Sequence, residues 1–277
     1  MSLYVGVDVG SISAKGVIID HDGNVLAQCY LRTMGKPIDA LRNVLKILRK
    51  EMPQRINIRS VGTTGSARRL AGLMLNADVV KNEIIAHAVA ASHSYPEVQT
   101  IIEIGGQDSK LIIMRENIPV DFAMNTVCAA GTGSFLDHQA LRLGIPIEEF
   151  GRCALQASNT CRIASRCTVF AESDMIHKTQ LGIPRNDIIA GLCHAIARNY
   201  LSTVAKGKPI ESPILFQGGV AANQGVKHAF EEALSMPVCV PDHFLVMGAI
   251  GAALLARHHG NGAGGFDLDT AIEVSFV

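Results

Sequence analysis

One pattern occurs twice along this chain and limits what it can fold into. An apolar run, a small polar turn, a second apolar run and another short turn lead into a third run. Residues 3–8 alternate and break at Gly10, residues 14–20 resume, and Asp22-Gly23-Asn24 turns into residues 25–32. Residues 100–104, the turn G-G-Q-D-S-K, residues 111–114, the turn at Glu116-Asn117 and residues 118–122 repeat that order. Short polar turns between alternating runs specify antiparallel neighbours, so each copy predicts a three-strand meander. The repetition reads as a cryptic internal duplication.

Between and after the copies the period changes from two to 3.6. Residues 37–50 carry Leu41, Val44, Leu45 and Leu48 on one helical face, residues 56–62 read as a strand, and residues 82–94 as a helix. Pro96 is the expected boundary between the halves. Helices are predicted at 133–143, 146–156, 168–180 and 186–206. A strand follows at 213–216, then the turn G-G-V-A-A-N, a helix at 224–235, a strand at 237–240 and a helix within 243–257. The last contains M-G-A-I-G-A-A-L-L-A, whose small residues suit close packing, and the Gly-rich tail at 258–265 is expected to be loose. Strands mixed with helices make the chain α/β, and 277 residues suffice for two cores.

Charge narrows the partners. Lys plus Arg and Asp plus Glu balance at 25 each, which leaves no electrostatic footprint for nucleic acid. The basic stretch at 36–55 reads as a solvated helix face. No apolar run approaches the roughly 18 residues of a membrane span, and the opening M-S-L-Y-V-G-V-D enters strand pattern directly, so a cytoplasmic protein is expected. In a reducing compartment the seven cysteines are core filler or ligands.

Two cysteines stand apart. In N-T-V-C-A-A-G-T-G-S-F-L, Cys128 precedes Gly131 and Gly133 at a strand-to-helix junction, and in S-R-C-T-V-F-A-E-S-D-M, Cys167 immediately precedes a helix. Both sulfurs are therefore expected at helix N-termini, where exposed N–H groups favour thiolate. A [4Fe–4S] cluster needs four such ligands, which a two-fold symmetric homodimer would supply. Cys29, Cys193 and Cys239 sit in apolar patterns and are expected as core residues. Cys153 and Cys161 have no familiar ligand spacing and are left out. His87, His138 and His177 lie on helices without a matching metal partner and are expected as satisfied residues.

The turns of the repeat carry the remaining chemistry. Asp8, Gly10, Ser11, Ser13 and Lys15 offer hydroxyls, an ammonium and turn N–H groups to a polyphosphate, with Asp8 reaching a hydrated Mg²⁺. An ordinary polar hairpin is the alternative. Gly105, Gly106, Gln107, Asp108, Ser109 and Lys110 occupy the equivalent turn of the second half, so two hairpins would clamp one triphosphate. Gly218, Gly219 and Asn223 at a helix start would allow close approach of an adenosine. Gln107 or Asp108 orienting water, with Lys15 and Lys110 offsetting phosphate charge, is the expected chemistry.

Hairpin, hairpin, G-G-V-A-A-N and G-A-I-G-A-A, in that order, resemble the superfamily of actin, heat-shock chaperones and sugar kinases. Within it, I-G-G-Q-D-S-K, C-A-A-G-T-G and C-T-V-F-A-E-S are similar to the activators of 2-hydroxyacyl-CoA dehydratases, in the BadF/BadG/BcrA/BcrD ATPase family. That family also holds the ATPase subunits of benzoyl-CoA reductase. The resemblance runs over residues 5–256. It implies a duplicated actin-like ATPase fold with a nucleotide cleft between two domains, at 1–97 (completed by the helix at 243–257) and 98–242. It also implies ATP or ADP with Mg²⁺ in the cleft, and a homodimer bridged by one [4Fe–4S] cluster on the residues matching Cys128 and Cys167. An iron–sulfur dehydratase or reductase would accept the electron, with a reduced ferredoxin or flavodoxin as donor. Glu83 matches an acidic position facing the phosphates, although it equally complements a helix dipole.

Three positions depart from the relatives' pattern: Glu103 for Asp, Ser134 for Arg, and T-T-G-S-A-R at 63–68 for T-G-Y-G-R. They bear on the partner more than on the nucleotide. The alternatives from other classes are a small-molecule kinase and a redox-responsive binding protein in which ATP is only a switch.

Overall fold

The structure is a computed structural model that describes residues 2–52, 56–125, 129–260 and 266–273. Cys128 and most of the Gly-rich tail, 261–265, lie outside the described residues. The chain forms two compact units, Met1–Pro96 with Leu245–Val277, and Glu97–Phe244.

The first unit is built on β1 (Leu3–Val9), β2 (Ser13–Ile19), β3 (Val25–Arg32), β4 (Ile58–Thr64) and β5 (Val79–Val80), with α1 (Pro37–Glu51), α2 (Arg68–Leu75) and α3 (Glu83–Ser94) between them. Its sheet has the order β3-β2-β1-β4-β5. The meander is antiparallel, and β4 and β5 add in parallel beside β1. Every residue of β1 is buried, as a strand covered on both faces requires. The apolar stripe of α1, Leu41, Val44, Leu45 and Leu48, belongs to the unit's main core together with Val5, Val7 and Ile18.

The second unit contains β6 (Thr100–Ile104), β7 (Ser109–Arg115) and β8 (Ile118–Asn125). Helices α4 (Gly133–Leu143), α5 (Ile147–Leu155), α6 (Thr168–Gln180) and α7 (Arg185–Thr203) follow, then β9 (Ile214–Gln217), α8 (Gln224–Leu234) and β10 (Val238–Cys239). Its sheet order is β10-β9-β6-β7-β8. Read from the other end this is the meander β8-β7-β6, then β9 and β10 in parallel, which is the order of the first sheet. The expected duplication is thus present strand for strand. The core gathers around α7, where the Tyr200, Phe230 and Phe216 rings meet edge to face with centroids 5.4 Å apart in both pairs.

The chain then returns to the first unit as α9 (Met247–His259) and α10 (Leu268–Glu273). The small residues of α9 serve as expected: Met247 to Ala256 are all buried, against α3, β1 and β4. Three differences from the sequence expectations matter. Helix α2 and the two-residue β5 were not anticipated. Strand β4 runs two residues further than 56–62, which makes Thr64 its last residue. Helix α9 continues through His259, beyond the expected Arg257.

Candidate functional site

In the first unit the site is built at the end of β1. Asp8 pairs across the hairpin with Lys15, and Lys15 Nζ donates to Asp8 Oδ2 at 3.0 Å. The turn is closed by Gly10 N–H donating to the Ser13 carbonyl at 2.9 Å; Ser13 is buried and Ser11 exposed. Two glycines wall the carboxylate. Gly65, just after β4, has φ +96°, and a methyl group built on it would lie 2.6 Å from Asp8 Oδ1. Gly248, in the first turn of α9, would place a methyl 2.6 Å from Asp8 Oδ2 and 3.3 Å from His87 Nε2. Glycine is required at both, by backbone conformation at Gly65 and by close approach at Gly248. The carboxylate also gains from the positive end of α9.

The second unit repeats this geometry with a longer acid. Glu103 pairs across the hairpin with Lys110, and Lys110 Nζ donates to Glu103 Oε2 and to Asp108 Oδ1, both at 2.9 Å. Gly105 N–H closes the turn on the Asp108 carbonyl at 3.0 Å. Gly218, just after β9, has φ +89°, and a methyl there would lie 2.7 Å from Glu103 Oε1. Carboxylate, cross-strand lysine and left-handed glycine are therefore duplicated together. The Tyr200 hydroxyl donates to the Lys110 carbonyl at 2.7 Å. Burial first, and the Glu103 charge second, hold the phenol well above its usual range, so it stays a donor. Gln107 is exposed at the tip of the turn.

Gly219 opens a short 3₁₀ turn, and Asn223 caps α8 by accepting from Val226 N–H at 3.1 Å. Asn223 is buried, with its side chain facing α8 and Cys193. A groove of about 540 Å³ runs beside this turn, lined in part by Ala221, Ala222, Val238, Cys239 and Phe244.

Of the two candidate thiolates, the structure describes one. Cys167 is the N-cap residue of α6 and is partly exposed. Its loop is tied down by α7, where Arg198 donates to the Ile163 carbonyl at 2.9 Å and the buried Asn199 to the Ser165 carbonyl at 2.6 Å. Asn199 Oδ1 lies 2.8 Å from the methyl position of Gly131, so one side chain touches both the segment that follows Cys128 and the segment that precedes Cys167. Helix α4 begins at Gly133, and its first amides are engaged: Gly133 and Ser134 N–H donate to the Gly105 and Gly106 carbonyls, each at 2.9 Å. Ser134 Oγ adds a second bond to Gly106. An Arg142 to Glu172 ion pair of 2.7 Å links α4 to α6. Cys29 and Cys193 are buried core residues as expected, whereas Cys239 is exposed beside the groove. Cys161 is partly exposed, and burial raises its pKa.

Sequence reasoning missed Thr64, Gly65, His87 and Gly248 around Asp8, and Asn199 beside the cysteine loops. Among them, only the strand-ending Thr64-Gly65 step carried a local signal, a glycine closing an apolar run.

Residues 5–256 match the BadF/BadG/BcrA/BcrD ATPase family. The chain is 34% identical over 258 residues to the (R)-2-hydroxyglutaryl-CoA dehydratase activating ATPase of Acidaminococcus fermentans, covering 92% of this chain and 98% of that one. The structure superposes on the activator of the 2-hydroxyisocaproyl-CoA dehydratase from Clostridium difficile, solved with bound ADPNP. There the TM-score is 0.87 and the identity 31%, over 99% of both chains. A ROK family glucokinase from Streptomyces griseus, with a TM-score of 0.60 and 14% identity over 92% of this chain and 99% of that one, shares the fold alone.

Proposed function

The chain belongs to the BadF/BadG/BcrA/BcrD ATPase family, and on that footing we propose that it hydrolyses ATP to drive one low-potential electron into a partner iron–sulfur dehydratase. One observation carries the coupling: the first amides of α4, the helix that follows Cys128, are hydrogen-bonded to the carbonyls of the Gly105-Gly106 turn. A phosphate that moves this turn pulls on the helix next to the thiol. A sugar kinase has no use for that link or for the two cysteines.

Each residue then has a task. Asp8 addresses a hydrated Mg²⁺, which partly neutralises the phosphates when bound, as a single carboxylate beside nucleotide oxygens is suited to do. Among the described residues no group of three or more His, Cys, Asp or Glu forms a ready metal cage, which agrees with a cation shared with phosphate and water. Lys15 and the turn at Gly10, Ser11 and Ser13 would meet phosphate oxygens in the first unit, and the turn from Gly105 to Lys110 offers the equivalent groups to phosphate in the second. Gln107 or Asp108 orients the attacking water. The adenosine would occupy the groove beside Gly218, Gly219 and Phe244.

The donor chemistry suits a [4Fe–4S] cluster on Cys128 and Cys167 of two subunits. Cys167 is open to solvent at a helix start, and the surface next to it is apolar, with Val169 65% and Phe170 68% exposed. Such a patch fits burial in a homodimer. The cluster supplies the single electron, while the α7 side chains Arg198 and Asn199 hold the cysteine loop in place. The electron would come from a reduced ferredoxin or flavodoxin.

Anaerobic purification tests this directly. About four irons and four sulfides per dimer are expected, together with ATP turnover that needs no added hydroxyl substrate. Cys167→Ala should lose the iron and keep nucleotide binding, and Lys15→Ala should do the reverse. Iron retained at full occupancy by Cys167→Ala would remove the bridged dimer, and turnover only with a hydroxyl acceptor would favour the kinase.

A further inference from the structure

The Asp8 site contains more polar chemistry than its sequence motif accounts for. Thr64 is the parallel-strand neighbour of Asp8, so both side chains stand on the same face of the sheet. Its side chain is fully buried, and among the described residues its Oγ1 has no hydrogen-bond partner. A buried hydroxyl without a partner costs stability, and such atoms are kept where something absent from the protein alone completes them. On the other side, the 6% exposed His87 of α3 brings Nε2 toward the point, above Gly248, that Asp8 Oδ2 also borders. A hydroxyl and an imidazole thus flank the Asp8 carboxylate. Neither belongs to the hairpin motif that marks the phosphate turn.

We propose that Thr64 and His87 are positioning residues for the divalent cation that Asp8 addresses, hydrogen-bonding water of its hydration shell. Mg²⁺ surrenders water reluctantly and is bound through one or two carboxylates, with the rest of its shell kept as water. The protein must then orient those waters with neutral donors and acceptors, which a hydroxyl and an imidazole provide. Backbone geometry keeps the space open: glycine at 65 and at 248 leaves room on both sides of the carboxylate. This assignment rests on the ATPase proposal and deepens it, because it says which side chains beside the Asp8–Lys15 pair would orient the water of the cation.

The test is binding of a fluorescent ATP analogue to the full chain, titrated with Mg²⁺ and repeated in EDTA. In Thr64→Val the Mg²⁺ concentration for half-maximal binding should rise about three- to tenfold, the worth of one hydrogen bond, with affinity in EDTA unchanged. The melting temperature should not fall, since the variant removes a hydroxyl without a hydrogen-bond partner among the described residues. Thr64→Ser should restore the Mg²⁺ response. His87→Leu should shift it in the same direction as Thr64→Val, and His87→Gln should recover part of the loss. A Thr64→Val protein with wild-type Mg²⁺ dependence, with equal weakening in Mg²⁺ and EDTA, or unable to fold would overturn the assignment. Wild-type binding that ignores Mg²⁺ would bring down the ATPase proposal as well, so the two failures are told apart.

Discussion

The two halves solve the same problem with acids of different length, and their lysines end up in different states. Lys15 donates to the Asp8 carboxylate and keeps 18% of its side chain exposed. Lys110 is 2% exposed and is held by two, Glu103 and Asp108. A buried ammonium costs several kcal/mol to desolvate and must be matched by excellent partners, which the second half supplies by adding Asp108. The first half leaves its lysine nearer the surface and puts a helix start and two glycines around Asp8. Duplication has thus produced one pair that is buried as an anchor and one that stays more open, the pair to which the proposed function gives the ligand.

The largest effect should come from the anchor. Lys110→Met leaves Glu103 buried without its cation and should cost about 3–5 kcal/mol in denaturant unfolding. Lys15→Met should cost clearly less, and equal losses would erase the distinction. Next comes turnover. Asp8→Asn should lower ATP hydrolysis about a hundredfold, the size expected for removing a group that organises phosphate charge, with iron content and melting temperature nearly unchanged. Glu103→Gln should lower the melting temperature instead. The glycines are a finer probe, since Gly65→Ala and Gly218→Ala both force a side chain into left-handed backbone against a carboxylate, at about 1–3 kcal/mol each. Only the change at Gly65 should also weaken the Mg²⁺ response. The smallest effect concerns Cys29 and Cys193, one buried in each half. Burial, with Glu51 adding to it, pushes the Cys29 thiol up to about 11, and burial drives Cys193 higher still. At pH 8 a thiol with the Cys29 value is thiolate in only about one molecule in a thousand. Iodoacetamide on the native protein should therefore leave both unlabelled, and rapid modification of either would show that its half opens locally.

The duplication was legible because alternation with a period of two is a local property, and both meanders begin with it. The order of the parallel strands was not, since parallel pairing joins segments far apart in the chain and leaves no mark at a turn. Helix α2 escaped notice because it opens on Arg68-Arg69 behind Ala67, without a capping side chain, and has Gly72 in its middle. The hairpin residues of the site and the helix start at Cys167 could be read from spacing. Cys128 falls outside the described residues. His87 could not be separated from a core histidine, because nothing in its own helix tells that α3 faces the end of β1. Ending the fourth strand at residue 62 hid Thr64 in a turn. Gly248 was one of several small residues in a packing stripe until α9 was seen to start at Asp8.

That last contact bears on how the molecule is made. The second unit is continuous in the chain, whereas the first consists of Met1–Pro96 plus a segment beginning at Leu245. As the chain leaves the ribosome, Asp8 emerges early and its helical wall, Met247–His259, comes well over two hundred residues later. At about 5–20 residues per second, tens of seconds separate the two. The second unit, Glu97–Phe244, is synthesised within that interval and is complete just before it ends, while the first still lacks α9, the buried helix that covers β1 and β4. A nascent chain therefore lacks the helical wall of Asp8 until α9 has been synthesised, so the first unit, although it begins the chain, is the last to be completed.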